Sequence, residues 1–487
     1  MHKEPENRSS SLSLRKLFGL SSVYGITPIL DRALALILLP VFTRYLSTDG
    51  YGSLVLLYSF GTILQLLLFM GFPDSLQKLY WDFKDEERKT LLGTAWVSNL
   101  VFNLLLAIPL IIYSGHITAA ILKNEKIGIL LFLVIVKILF STQAIVPFVI
   151  LRAREQKFSI LRVNLISIFV RIGLTLLFLV YLKLNLVGIF LADIGTSIAI
   201  QFIYLPILIR EINLKFRWIY LKEILTLSPF QFSVEILAWI ISLSDRMIIQ
   251  TILGNPTEVA IYAVGYTFGS AITFLVNPVL AAWRPYVYSV HGHSLKNYST
   301  QMGEFLFYFI AICCASFLIL VVASPEVIKL LTPSVYHKAT SLVGIVLIAH
   351  VMAAISNYFL PTFFIVKKMQ VVVVVYVISA IANVGFNLIL IPRIGIMGAA
   401  IATLISYGIM AGIIYIESQT LIRVAVNFRP IFITVIIAAS VWYLLLQIDI
   451  QNAWVSLTVK MVILVSALSV AALWIYKQRQ APLPLQL

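Results

Sequence analysis

Two short stretches place an acid beside an arginine inside otherwise apolar runs: Asp31-Arg32 in ILDRALALIL and Asp245-Arg246 in SLSDRMIIQ. Lys137, Arg171, Asp193 and Glu235 are further ionisable residues deep in such runs, and His350 is a titratable one. Four cations and four anions at mid-span are costly. Each charge at the centre of a bilayer costs roughly 2.5–3.5 kcal/mol, so eight of them facing lipid would cost on the order of 20 kcal/mol or more. They must therefore face a bundle interior or water, where two kinds of chemistry are open to them. In one, the charges pair and hold helices together. In the other, some of the cations line a hydrated cavity and bind an anionic substrate, while carboxylates tune them or relay protons. For anion binding, Arg32 and Arg246 rank first, followed by Arg171 and Lys137. Asp31, Asp245, Asp193 and Glu235 are the candidates for ion coupling or structural pairing. Neighbouring residues on a helix point about 100° apart, so Asp31 and Arg32 are not expected to form a compact pair with each other alone. At least one of them needs a partner on another helix.

The elements that position these residues follow from composition. Of 487 residues, 60% are hydrophobic and only 12% charged, a balance outside that of water-soluble domains. Runs of 18 or more nearly uncharged residues recur from end to end, each long enough to cross about 30 Å of hydrocarbon as a helix. Fourteen spans are expected, the first at 17–41 and the last at 455–476. The runs are continuous rather than alternating, so they predict helices and not barrel strands. The fold class is all-α: a polytopic membrane protein.

The net charge of +15 is arranged along the chain in a way that excludes nucleic acid as its cause. Arg15, Lys16, Arg88, Lys89, Arg152, Arg154, Lys157, Arg210, Lys215 and Lys367 all fall on one side of the membrane in a fourteen-span topology. By the positive-inside rule that side, with both termini, is cytoplasmic. The first run lacks a small-residue cleavage pattern and reads as an uncleaved span. Cys313 and Cys314 are adjacent within a span and read as packing residues. Lys460, near a span end, is expected to snorkel, and His350 to be a core residue. Pro28, Pro147, Pro229, Pro278 and Pro361 lie inside spans and predict kinks.

The chain also repeats itself. YSFGT (58–62) matches YTFGS (266–270) at an offset of 208 residues, and KLNLVGIFLAD (183–193) matches RIGIMGAAIAT (393–403) at 210. Six helices, six more and two appended ones account for this pattern. Because six is even, the halves enter the membrane from the same side, and the repeat is parallel about an axis along the membrane normal. The expected organisation is a cytoplasmic segment at 1–16, a first bundle at 17–210, a second at 211–417, two additional spans at 418–476 and a tail at 477–487. Transporters built this way hold substrate between the halves and expose it alternately to each side.

LPVFTRYLSTDGYGSLVLLYSF followed by GFPDSLQKLYWD resembles the opening hairpin of the polysaccharide transport family, within the multidrug/oligosaccharidyl-lipid/polysaccharide (MOP) exporter superfamily. LRAREQKF, LSDRMIIQTILGNPTEVAIYAVGY and RIGIMGAAIAT agree with it, so the resemblance covers most of the chain. It implies a flippase of polyprenyl-pyrophosphate-linked oligosaccharides, such as O-antigen, capsule or exopolysaccharide repeat units, in the bacterial cytoplasmic membrane. The partners implied are that lipid-linked cargo, membrane lipids and other polysaccharide assembly proteins. No cofactor, metal or nucleic acid is implied. Under this resemblance Arg32, Arg246, Arg171 and Lys137 become candidate ligands of the pyrophosphate, because arginine offers bidentate charge-assisted bonds to phosphate oxygens. The alternatives are a cation-coupled multidrug exporter of the same superfamily and a membrane enzyme of polysaccharide assembly. The first would favour acids and aromatics in its cavity. The second needs a sizeable outer loop, and every outside loop here is short, with no nucleotide loop or nucleophile constellation.

Overall fold

The computed structural model describes residues 33–122, 128–291, 295–448 and 452–480, together with residues 30 and 450. Asp31, Arg32 and Pro28 lie outside the described residues. Among those described there is no strand. Helix α1 covers Ala33–Tyr45, α2 Thr48–Phe69, α3 Phe72–Leu79, α4 Asp85–Ile112 and α5 Ser114–Leu122. They are followed by α6 (Gly128–Thr142), α7 (Ile145–Ala153), α8 (Lys157–Thr175) and α9 (Asn185–Glu211). Helices α10 (Trp218–Leu253), α11 (Pro256–Ser270), α12 (Ile272–His291), α13 (Leu295–Leu331) and α14 (Thr340–Ile365) continue the chain. The last four are α15 (Met369–Ile394), α16 (Ile396–Leu421), α17 (Phe428–Leu446) and α18 (Ala453–Gln480). Twelve stretches are long and apolar enough to span a membrane, and two shorter apolar helices, Ala33–Tyr45 and Ala453–Ala467, stand at the first and last expected spans. The polytopic all-α reading therefore holds. Large apolar side chains such as Ile112, Phe169, Phe202, Ile381 and Phe432 are exposed on the outer faces. In water such a surface would be a liability, whereas in lipid it costs nothing.

Several spans are not single helices. The second is broken between α2 and α3, where Met70 and Gly71 both take positive φ, 48° and 70°. Pro73 follows in the first turn of α3, where its missing N–H leaves no carbonyl unpaired. The fourth breaks between α6 and α7, three residues before Pro147, so that proline sits in the first turn of a new helix and not in a kink. The end of α8 widens into a π-helical turn at Leu176–Tyr181.

Packing runs mainly within two sets of helices. Helices α2 to α9 pack among themselves, as do α10 to α16, while α17 and α18 lie against α13. The strongest contacts between the sets join α2 to α10 and α11, and α3 and α4 to α10. The N-termini of α2 and α11 lie together. The Thr257 hydroxyl donates to Asp49, its counterpart at the 208-residue offset. A Cβ on Gly52 would stand 1.9 Å from the Pro256 carbonyl oxygen, so only glycine permits this approach. The two helices thus meet start to start. Farther along, Gly71 meets the Ser228 carbonyl on α10, and the Ser75 and Ser228 hydroxyls are hydrogen-bonded at 3.1 Å.

Candidate functional site

Four helices of the first set line one small cavity, and three of them bring charge to it. Arg171 on α8 pairs with Asp193 on α9, Nε to Oδ1 at 2.7 Å. Tyr58 on α2 closes the triangle: its hydroxyl donates to Asp193 Oδ2 at 2.9 Å and accepts from Arg171 Nη2 at 3.2 Å. Lys137 on α6 donates from Nζ to Gln65 Oε1 on α2 at 3.3 Å. Asp193 is 4% exposed, but the Arg171 side chain keeps 31% of its surface accessible. Tyr58, Gln65, Lys137, Arg171 and Asp193 all line a cavity of about 170 Å³. At about 30 Å³ per water, that is room for roughly five or six waters or a comparable anion. Two cations face it and one carboxylate, so the lining carries an excess positive charge. An anion entering here would find a guanidinium already oriented by its carboxylate, and an ammonium held by a neutral amide.

The second doublet is arranged differently. Asp245 is fully buried and Arg246 is 5% exposed, and they pair with each other, Arg246 Nη1 to Asp245 Oδ1 at 2.6 Å. Adjacent residues on one helix thus form a compact pair here, whereas the expectation for Asp31 and Arg32 falls outside the described residues. The arginine stem is long enough to fold back, so that the same Nη1 also reaches the Ser242 carbonyl one turn earlier, at 2.7 Å. Asp245 Oδ1 further accepts the Arg246 backbone N–H at 2.8 Å, and the Tyr262 hydroxyl donates to Oδ2. The guanidinium lies 4.2 Å from the centre of the Tyr266 ring and 5.5 Å from that of Tyr262, within the range of a cation–π contact. With its charge matched and both ring faces over it, Arg246 lines neither the 170 Å³ cavity nor the larger one beside it.

That larger cavity, about 410 Å³, is enclosed by α10, α11, α12, α14, α15 and α16. His350, expected in the core, lines it, with ring contacts to Tyr266 and Tyr407 at 5.4 and 5.9 Å. Glu235 is half-buried on α10 and lines neither cavity. It lies ten residues before Asp245, roughly 15 Å along the helix. Lys460 does not snorkel: its ammonium is 2.7 Å from Glu326 Oε1, in a pair whose side chains are 15% and 4% exposed. Ser456 donates to the same oxygen at 2.8 Å. The reason is position on α18, which turns this face inward to α13. Cys313 is buried, Cys314 is half-buried, and both are free. Among the described residues, no three or more His, Cys, Asp or Glu side chains gather to hold a metal.

Sequence reasoning missed Tyr58 and Tyr266 as members of these clusters. The signal was available, because they are paired positions of the clearest internal match, and each sits against an Asp–Arg pair. The pairs themselves come from different helices, α8 with α9 in one set and α10 alone in the other, which is why aligning charges could not reveal the correspondence.

Residues 14–291 match the model of a family described as polysaccharide biosynthesis protein. No curated protein sequence matches significantly. Among solved structures, one titled "Lipid II flippase MurJ, inward closed conformation" is similar, with a TM-score of 0.75 at 15% identity, over 95% of this chain and 99% of that one. An inward-facing multidrug resistance MATE family transporter of the MOP superfamily gives a TM-score of 0.66 at 15% identity, covering 80% and 94% of the two chains. The Vibrio cholerae MATE transporter VcmN, in its bent form, gives 0.55 at 14% identity, covering 84% and 97%. These likenesses are of fold.

Proposed function

Because this chain belongs to the polysaccharide biosynthesis protein family and resembles in fold a transporter of the MOP superfamily, we propose that it is a flippase for a polyprenyl-pyrophosphate-linked oligosaccharide. The cargo class is an O-antigen, capsule or exopolysaccharide repeat unit. It moves from the cytoplasmic to the outer leaflet of the bacterial cytoplasmic membrane, by alternating access between a bundle at 17–210 and another at 211–417. Both termini are cytoplasmic, as the positive-inside bias favours.

The observation that carries this reading is the excess positive charge on the 170 Å³ cavity, from Lys137 and Arg171 against Asp193. A pyrophosphate cannot cross hydrocarbon unaided, because desolvating its charges costs many kcal/mol. Two cations in a low-dielectric wall offset that cost, and the guanidinium adds a planar fork matched to phosphate oxygens. Asp193 and Tyr58 hold Arg171 in place through the bonds described. Asp245 and Arg246 brace their own set of helices. Arg32 stays a candidate ligand on the family resemblance, with Asp31 as its structural neighbour. Excess cation in the cavity also argues against a cationic drug as cargo.

Lys137 gives the cleanest test, since its hydrogen bond is to the neutral amide of Gln65 and its removal leaves Asp193 still paired with Arg171. A charge-assisted hydrogen bond contributes about 1.5–3 kcal/mol, so Lys137→Gln is expected to weaken binding of polyprenyl pyrophosphate by roughly ten- to a hundredfold. Export of surface polysaccharide, normalised to membrane-inserted protein, should fall with it, and Lys137→Arg should restore a large part. Normal export by Lys137→Gln at normal protein level would refute the assignment.

A further inference from the structure

The 410 Å³ cavity in the second set of helices has no part in pyrophosphate binding as proposed. Its size falls within the roughly 300–1,000 Å³ range of small-molecule sites. Its chemistry is the opposite of the first cavity's. Among the described residues that line it, none bears a carboxylate, ammonium or guanidinium. The wall is built instead from phenols (Tyr266, Tyr376, Tyr407), the amides of Asn277 and Asn357, the Ser242 hydroxyl and the His350 imidazole. Arg246, against the ring of the lining Tyr266, is held by its bond to Asp245.

Such a wall discriminates by class of ligand. An anion would find no lysine or arginine to pair with, and a cation no carboxylate, so either would lose hydration with little compensation. An alkyl chain would offer no hydrogen bond to the Asn277 amide or the Tyr376 hydroxyl. A neutral ring with an apolar C–H face and a rim of hydroxyl groups meets both parts of the wall, the aromatic faces and the hydrogen-bonding edges. That is a sugar. At about 30 Å³ per water the cavity corresponds to roughly a dozen waters, space on the scale of a sugar residue.

Its location relates it to the anion site. Trp239 on α10 donates from Nε1 to the Ser59 carbonyl on α2 at 3.1 Å. Trp239 follows Ala238, which lines the neutral cavity, and Ser59 follows Tyr58, which lines the cationic one. The two cavities thus lie on either side of the α2–α10 seam, one lined from α2 and the other from α10. In a lipid-linked repeat unit the sugars extend outward from the pyrophosphate, so a neutral site set apart from the anion site can meet one of them. We propose that the cavity bounded by Ser242, Tyr266, Asn277, Asn357, Tyr376 and Tyr407 is a subsite for a neutral sugar residue of the cargo. It acts beside the phosphate site on Lys137 and Arg171. This rests on the flippase reading and deepens it, dividing recognition into a charge-reading half and a glycan-reading half.

The experiment uses two probes with the purified full chain in lipid nanodiscs: sugar-free polyprenyl pyrophosphate, and the lipid-linked repeat unit extracted from the producing strain. Tyr376→Phe removes one hydroxyl and keeps the ring, and Asn277→Ala removes one exposed amide, with thermal unfolding as the control for fold. Each substitution should weaken binding of the glycosylated lipid about three- to tenfold, and the double variant more, with sugar-free binding unchanged. Lys137→Gln should weaken both. Equal binding of the glycosylated lipid by wild type and the double variant overturns the subsite, and so does an equal loss for both probes. If wild type binds neither probe, the flippase reading itself fails, a result distinct from failure of the subsite alone.

Discussion

Neutralising Asp245 should destabilise the protein far more than neutralising Asp245 and Arg246 together. Asp245 is fully buried and takes three donors: the Arg246 guanidinium, the Arg246 backbone N–H and the Tyr262 hydroxyl. In Asp245→Asn the guanidinium stays buried, 5% exposed, without its counter-charge. Breaking a buried pair from one side costs about 3–5 kcal/mol, whereas replacing both members by neutral groups of similar volume is often close to neutral. Asp245→Asn and Arg246→Met should therefore each lose about that amount. The double variant should recover most of it, so that its loss falls far short of the sum of the two single losses in a double-mutant cycle. The assay is the monodisperse fraction surviving a temperature ramp in detergent, read beside polysaccharide export per unit of folded protein. Export should follow folded protein in all three variants. If Arg246→Met keeps normal folded yield while export collapses, Arg246 is a ligand of the substrate. The bracing role derived from its burial and pairing is then refuted.

Two further outcomes follow from packing. Gly52→Ala puts a methyl 1.9 Å from the Pro256 carbonyl, a contact that only separation of α2 from α11 relieves, so folded yield should drop sharply while a change at the uncrowded Gly412 on α16 should not. Lys460→Met strands the Glu326 carboxylate, 4% exposed on α13. Folded protein should fall by an amount equivalent to about 3–5 kcal/mol, rescued by adding Glu326→Gln. No rescue in the double variant would show that the pair does not hold α18.

What the sequence alone determined is a matter of composition read along one dimension. Hydropathy placed the apolar runs because a helix rises 1.5 Å per residue and the bilayer has a fixed thickness. The cost of burying charge singled out Arg171, Asp193, Asp245 and Arg246 as residues needing partners, and the match of YSFGT to YTFGS marked the two tyrosines before any contact was known. The break at Gly71 was legible in principle from the glycine and proline spacing in GFPDS. Partnership was decided only by tertiary structure. Whether Arg171 meets Asp193, or Lys460 meets Glu326, depends on how each helix is rotated and which neighbour it packs against. A 100° step per residue fixes where a Cβ points but not where a long, flexible arginine ends. For this reason Arg246 could fold back onto its own neighbour, while Lys137 and Arg171 carry the charge that lines the smaller cavity.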